Sequence, residues 1–401
     1  METDERFIDA LREGLDEETR ARTDRVADTA AKIKERGGKI AVVTGSGPNL
    51  HEGVTTLLAE FIRLGVVDGV LTSSAVVAHE MAGALDEVKR VPGSAVGIPP
   101  ELLPKGGIFE ASLLRPGDLD RISREMVLDR GLIDRVLAAE GRVIIKAAGN
   151  MAYPVGLRTE RLAMEIESLA DLHGLPFERA AGLGADPRTM IGAGAAAGVP
   201  VLVTVPQLVG GGMVGLAVGD SIPLKRRSEL VSRILGGADL IIESGIALSQ
   251  EIHDGPFETY TGHGIWSRWE GSPTYSLAGK TLVRIDLDPN LERVWRIERE
   301  GASVQGAVDQ GLPKTKTFKV PFRMEMSGFA RLEGSLPLVG DLGILWPVIA
   351  LGIARRLGLK PEFMSYPQES EPGKRMRRWI VDEVGILDRD RMLAGLREAR
   401  P

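Results

Sequence analysis

At 401 residues the chain is long enough for one large domain or two ordinary ones with an ample core. Hydrophobic residues make up 43% and charged residues 26%, and the net charge of -6 leaves no basic footprint for nucleic acid. The absence of cysteine removes disulfides, thiolate catalysis and thiolate metal sites.

Residues 1–36 are expected to form a charged helix ended by Gly37-Gly38, a C-cap pair. This opening lacks the apolar core of a signal peptide, and no apolar run is long enough for a bilayer. A cytoplasmic location with no membrane partner is therefore expected. From Lys39 onward, short apolar runs alternate with helical patterns. The strand candidates are Lys39–Thr44, Gly69–Thr72, Arg142–Lys146, Val199–Val205, Asp239–Glu243 and Thr281–Asp286. Such alternation predicts an α/β, Rossmann-like, doubly wound fold: a mostly parallel sheet with helices on both faces and an N-terminal helical extension. Residues 37–300 would form this core. The Pro/Gly-rich stretch Val91–Arg121 reads as a long excursion, a lid or an interface. Residues 301–401 are expected to form an α+β extension, with extended segments after Gln310, one apolar helix over Leu342–Arg355 and a charged helical tail from Lys374.

Every strand candidate is followed by small or polar residues, which leave backbone N–H groups free at the edge where open α/β sheets bind ligands. The first strand runs into GSGPNLHEG, carrying Gly45, Ser46, Gly47, Asn49 and His51. A bare Gly-x-Gly is also what an ordinary tight turn requires. The second strand ends in Thr72, Ser73 and Ser74 and leads to His79 beside Glu80. Histidine titrates near neutral pH, so His51, His79 and Glu80 are candidates for acid/base work, against a structural hydrogen-bonding role. Gly211 and Gly212 follow the fourth candidate strand and would admit a cofactor closely. Asp286, closing the last strand, is a candidate for a ribose hydroxyl, while Asp288 before Pro289 suits a helix cap. Lys146 suits an ion pair better than a Schiff base, and Arg158 is a possible carboxylate binder.

The densest polar run, ESGIALSQEIHDGPFETYTGHGIW, holds Glu243, Glu251, His253, Asp254, Glu258 and His263 with Tyr260 and Trp266. Carboxylates beside aromatics suit an ammonium group through ion pairing and cation–π contact. The same side chains are competent metal ligands, but their spacing matches no metal template.

The stretch GPNLHEG followed by VVDGVLTSSAVVAHEMAGAL resembles the NAD-binding portion of archaeal-type ornithine cyclodeaminases, also known as LOR/SDH proteins. Gly47, Pro48, His51, Ala75, His79 and Glu80 carry the likeness, with Glu80 where that family has Asp. KTLVRIDLDPNLERVWRIEREGA resembles that family's strand-Asp-x-Asn-Pro-helix segment, through Asp286 and Pro289. Deoxyhypusine synthase is echoed more faintly. Where it carries an imine-forming lysine, this chain has Ala247-Leu248-Ser249-Gln250, which argues against aminobutyl transfer.

The resemblance implies NAD as cofactor, an amino-acid or amine substrate, and a homo-oligomer, dimer or tetramer, with the apolar helix serving an interface. The expected reaction is deamination through an imine with NAD recycled. The alternatives are an NAD(P)-dependent dehydrogenase with net turnover, or a metal-dependent hydrolase or lyase built on residues 243–263.

Overall fold

Six parallel strands build the main sheet: β1 (Ile40–Thr44), β2 (Gly69–Thr72), β6 (Val201–Val203), β7 (Leu240–Ser244), β8 (Thr281–Asp286) and β9 (Ser335–Val339). Their spatial order is β6-β2-β1-β7-β8-β9. Counted within this sheet the order is 3-2-1-4-5-6, the doubly wound dinucleotide-binding arrangement, with its switch point between β1 and β7. The computed structural model describes residues 1, 3–45, 47–149, 151–204, 211–245, 250–253, 256–268, 271–300, 310–312 and 324–398.

The register explains the two cores. Ile40 and Val42 of β1, Val70 of β2, Leu240 and Ile242 of β7 and Ile285 of β8 pack into one apolar cluster. The helices on that face include α1 (Glu5–Glu13), α2 (Glu17–Glu35), α3 (Gly47–His51), α4 (Val54–Arg63) and α5 (Ser74–Met81). Alternate residues Ala41, Val43, Leu71, Ile241 and Leu282 face the second cluster, because successive strand side chains point to opposite faces.

Between β2 and β6 the chain makes a long detour. A second, antiparallel sheet of order β4-β3-β5 holds β3 (Leu85–Pro92), β4 (Ile108–Ser112) and β5 (Arg142–Ala147). The Arg142–Lys146 candidate thus belongs to this sheet and not to the parallel one. The Val91–Arg121 stretch is correspondingly no plain excursion, since it supplies the end of β3, β4 and the start of α6 (Pro116–Glu125). Then come α7 (Arg130–Ala138), α8 (Val155–Leu172), α9 (Phe177–Gly182) and α10 (Met190–Ala197). On the far half follow α11 (Gly212–Ser221), α12 (Leu224–Gly237), α13 (Gln250–His253) and α14 (Asn290–Arg299).

Other boundaries also differ from expectation. The N-terminal helix is two, because Asp16 accepts from Thr19 N and starts α2 afresh after Gly14. Part of the stretch expected to be extended is a helix, Met324–Arg331. The helix Leu342–Leu357 is as expected in place, but its apolar residues are buried rather than offered to another subunit. It packs against α2 so closely that a Cβ on Gly352 would lie 2.9 Å from that of Ala27. The division at residue 300 leaves β9 and this helix in the extension, yet β9 completes the main sheet by pairing with β8. The tail forms two helices, Glu371–Glu383 and Arg389–Glu398. Among the described residues no helix is long and apolar enough to cross a membrane.

Candidate functional site

The crevice at the switch point is framed by the ends of β1 and β7. Gly45 follows β1, and α3 begins two residues later. Asn49 of α3 donates from Nδ2 to Gly45 O at 2.9 Å and to Ser244 O at 3.2 Å. Ser244 Oγ donates back to Asn49 Oδ1 and accepts from Trp346 Nε1 at 2.7 Å. Gly47 lies open: a Cβ there would meet nothing within 4 Å. At the same edge the buried hydroxyls of Thr44 and Thr72 have no hydrogen-bond partner. Ser73 caps α5 by accepting from Val76 N, and Ser74 is buried beside it. Asp286 stands on the other half of the sheet. Its Oδ1 accepts from Asp288 N at 3.0 Å, and its buried Oδ2 has no partner. Asp288 Oδ1 accepts from Asn290 N, the first residue of α14, at 2.9 Å.

Beside the crevice the two candidate histidines meet Lys146 and Arg377. His79 Nδ1 lies 2.5 Å from Ala148 O. A carbonyl only accepts, so Nδ1 carries the proton and Nε2 keeps its lone pair. Burial lowers the His79 pKa, and the Lys146 charge lowers it further against the opposing Ala148 bond, so the ring is neutral at pH 7. The His51 pKa is likewise lowered, by burial first and then by the charges of Arg377 and Lys146. Lys146 Nζ pairs with Glu110 at 2.5 Å, as an ion-pair lysine, and Arg90 holds the same carboxylate at 2.9 Å. Asp86, hydrogen-bonded by Ser112, is pushed up to about 6 mainly by burial. Glu52 accepts from Gln368 N and Nε2, both at 2.8 Å, and burial raises it to about 6.

Several candidates have other partners. The Glu80 carboxylate accepts from Met190 N at 2.8 Å and Ile191 N at 3.0 Å, capping α10 rather than pairing with His79. The N-terminus of α11, at Gly211-Gly212, is filled by Glu160 of α8, whose Oε2 accepts from Met213 N at 2.7 Å. A Cβ on Gly212 would lie 2.4 Å from that carboxylate. Arg158 is buried against Glu125 and Leu387 O.

Residues 243–263 come together only in part, Thr261 Oγ1 linking His253 Nδ1 to the Glu258 carboxylate. Glu243 and Arg284 form a fully buried ion pair inside the sheet's second face, with the guanidinium over Phe329. Glu258 folds back on its own loop, accepting from Tyr260 N, Thr261 N and Gly262 N, and it also accepts from the distant Leu277 N. His253 Nδ1 is 2.7 Å from Thr261 Oγ1, and burial drives its pKa down to about 3. The His263 ring packs on Phe257 and Trp266. Ser46, Asp254 and the Glu251 side chain lie outside the described residues. Among the described residues, no group of three or more His, Asp or Glu is placed to hold a metal ion.

Sequence reasoning missed Arg377, Glu160 and Ser244. Arg377 sits among three other basic residues in KRMRR, and nothing local distinguishes it. Ser244, closing a buried strand, had the same strand-end signal as Thr72.

No family model matches the chain, and no curated protein does. Solved structures overlap it only loosely. A LOR/SDH protein from Methanococcus maripaludis S2 is 12% identical at a TM-score of 0.38, over 84% of this chain and 69% of that one. AgrE in ternary complex with ornithine and NAD+ is 14% identical at 0.39, over 84% and 32%. ArgZ, an arginine dihydrolase from the cyanobacterial ornithine–ammonia cycle, is 13% identical at 0.38, over 83% and 31%. The chain spans about a third of the length of the AgrE and ArgZ structures.

Proposed function

We propose that the protein is an NAD-dependent enzyme acting on a C–N bond of an amino acid or amine. The observation that carries this reading is the 3-2-1-4-5-6 strand order, with an open glycine turn at its switch point and neutral histidines alongside. Gly45, Gly47, Asn49 and Thr72 to Ser74 would hold the cofactor, with Asp286 on the opposite half of the sheet. The partnerless hydroxyls of Thr44 and Thr72 and the partnerless Asp286 Oδ2 fit a polar ligand along this edge. NAD, when bound, supplies a hydride acceptor for oxidation of a C–N bond to an imine.

The residues of the chain do the rest. His79 Nε2, a free lone pair on a neutral ring, takes the proton the substrate nitrogen gives up and returns it to the leaving amine. The half-buried walls around His51 and His79 limit water near the reacting carbon. Calorimetric titration of the purified protein with NAD+ tests the reading. Micromolar or tighter binding is expected, and absence of saturable binding overturns it. Turnover of an amino acid with steady build-up of reduced cofactor would instead favour the plain dehydrogenase.

A further inference from the structure

The helix Glu371–Glu383 lies more than 300 residues from the first strand, yet it reaches the candidate site through one side chain. Arg377 Nη2 donates to Ile145 O at 2.6 Å and meets His51 Nδ1 at 3.4 Å. We propose that Arg377 is a positioning residue that fixes His51 as a neutral ring with its proton on Nε2. The proposal rests on the catalytic reading of the histidine pair.

A guanidinium has only donors, so the nitrogen it approaches must present a lone pair. Nδ1 of His51 is then the acceptor, and Nε2–H is the donor left for a ligand. His79, held by a carbonyl, is the opposite tautomer, with Nε2 as acceptor. One ring thus offers a proton and its neighbour takes one, and both faces are set by groups whose polarity cannot reverse. Two neutral rings of the same tautomer would lack that division.

The surroundings hold Arg377 to this task. No carboxylate pairs with it among the described residues, whereas Arg378 beside it is taken by Glu87. Its Nε is buried without a partner, and Ile145 O anchors the fork against β5. The other charged groups near His51 are already engaged. Lys146 is held by Glu110 and Arg90 shares that carboxylate, Asp86 is bonded by Ser112, and Glu52 accepts from Gln368. His79 is neutral. Of the charges acting on His51, that of Arg377 is the largest, offset in part by Glu52 and paired with no carboxylate among the described residues, and it disfavours imidazolium.

The test needs neither substrate nor cofactor. The full chain with 15N-labelled histidine is titrated by long-range proton–nitrogen NMR, with His51→Asn used for assignment. The wild type should show His51 as the Nε2–H form and His79 as Nδ1–H. Arg377→Ala should raise the His51 pKa by about 0.5 or more and mix its tautomers, leaving His79 unchanged. Arg377→Lys should keep the lowered pKa, which a merely structural role would not require. A wild-type Nδ1–H form of His51, or identical His51 titration in wild type and Arg377→Ala, overturns the proposal. If Arg377→Ala does not fold, Arg377→Gln removes the charge while keeping a donor, and the same criterion applies. Loss of NAD+ binding would sink the proposed function but leave these nitrogen spectra as they are.

Discussion

Asn49 and Ser244 face each other across the switch point, each donating to the other: Nδ2 to the serine carbonyl and Oγ to the amide oxygen. This reciprocal pair clamps the first crossover onto the central strand of the other half. The two side chains are also buried, so each deletion leaves unpaired polar atoms.

A double-mutant cycle should expose the clamp. Asn49→Ala and Ser244→Ala should each destabilise by about 1–2 kcal/mol, with a coupling of about 1 kcal/mol between them. Urea unfolding of the four proteins measures it. Strict additivity would mean that the two halves are not joined here.

Gly47→Ala separates folding from ligand binding. A Cβ there meets nothing within 4 Å, and Gly47 is not among the glycines with positive φ, so stability should hold. The methyl group would intrude on a dinucleotide approaching the backbone, and affinity for NAD+ should fall about tenfold. Thermal melting and calorimetry together read the two effects. Unchanged affinity would place the cofactor elsewhere.

Glu80 should make stability depend on pH. Burial raises its pKa to about 7 from 4.5 despite the two backbone bonds that lower it, so the folded state holds this proton more tightly than the unfolded chain. The contribution is full below 4.5 and is lost as pH rises through about 7. Glu80→Gln removes the titration. Relative to that variant, the wild type should lose stability between about pH 5 and about pH 8 in denaturant unfolding. A constant difference across that range would show that Glu80 stays ionised.

Glu258 should prove structural. It accepts from three backbone N–H groups in its own loop, from Leu277 N and from Thr261 Oγ1. Glu258→Ala should cost about 3 kcal/mol by leaving those donors buried and unpaired. Unfolding measurements showing less than about 1 kcal/mol would return Glu258 to the list of ligand-binding candidates.

Periodicity made the parallel strands readable because β1, β2 and β7 are buried throughout and β8 from Leu282 on, and buried strands read as near-continuous apolar runs. In the antiparallel sheet β5 was read as a strand, but β3 and β4 were hidden for the converse reason. LDEVKRVP in β3 mixes charges into a strand whose partners hold them, as Glu87 holds Arg378 and Asp86 holds Ser112. His51 and His79 were visible as rare residues at strand ends. The meaning of Glu80 was not, since its acceptor role is decided by Met190, 110 residues on. The acidic run from Glu243 looked like one surface because its residues are adjacent in sequence. Strand alternation instead buries Glu243 against Arg284, and a tight turn folds Glu258 back on Thr261 and Leu277 N.

The seam between α2 and the helix Leu342–Leu357 has a consequence for synthesis. Arg355 pairs with Glu5 and Asp9, and Arg356 with Asp28, so segments more than 300 residues apart in the chain close on one another. As the chain leaves the ribosome, α1 and α2 wait with an apolar stripe uncovered through more than 300 residues of elongation. Their closure is a late, long-range event of the kind that slows folding and invites a chaperone.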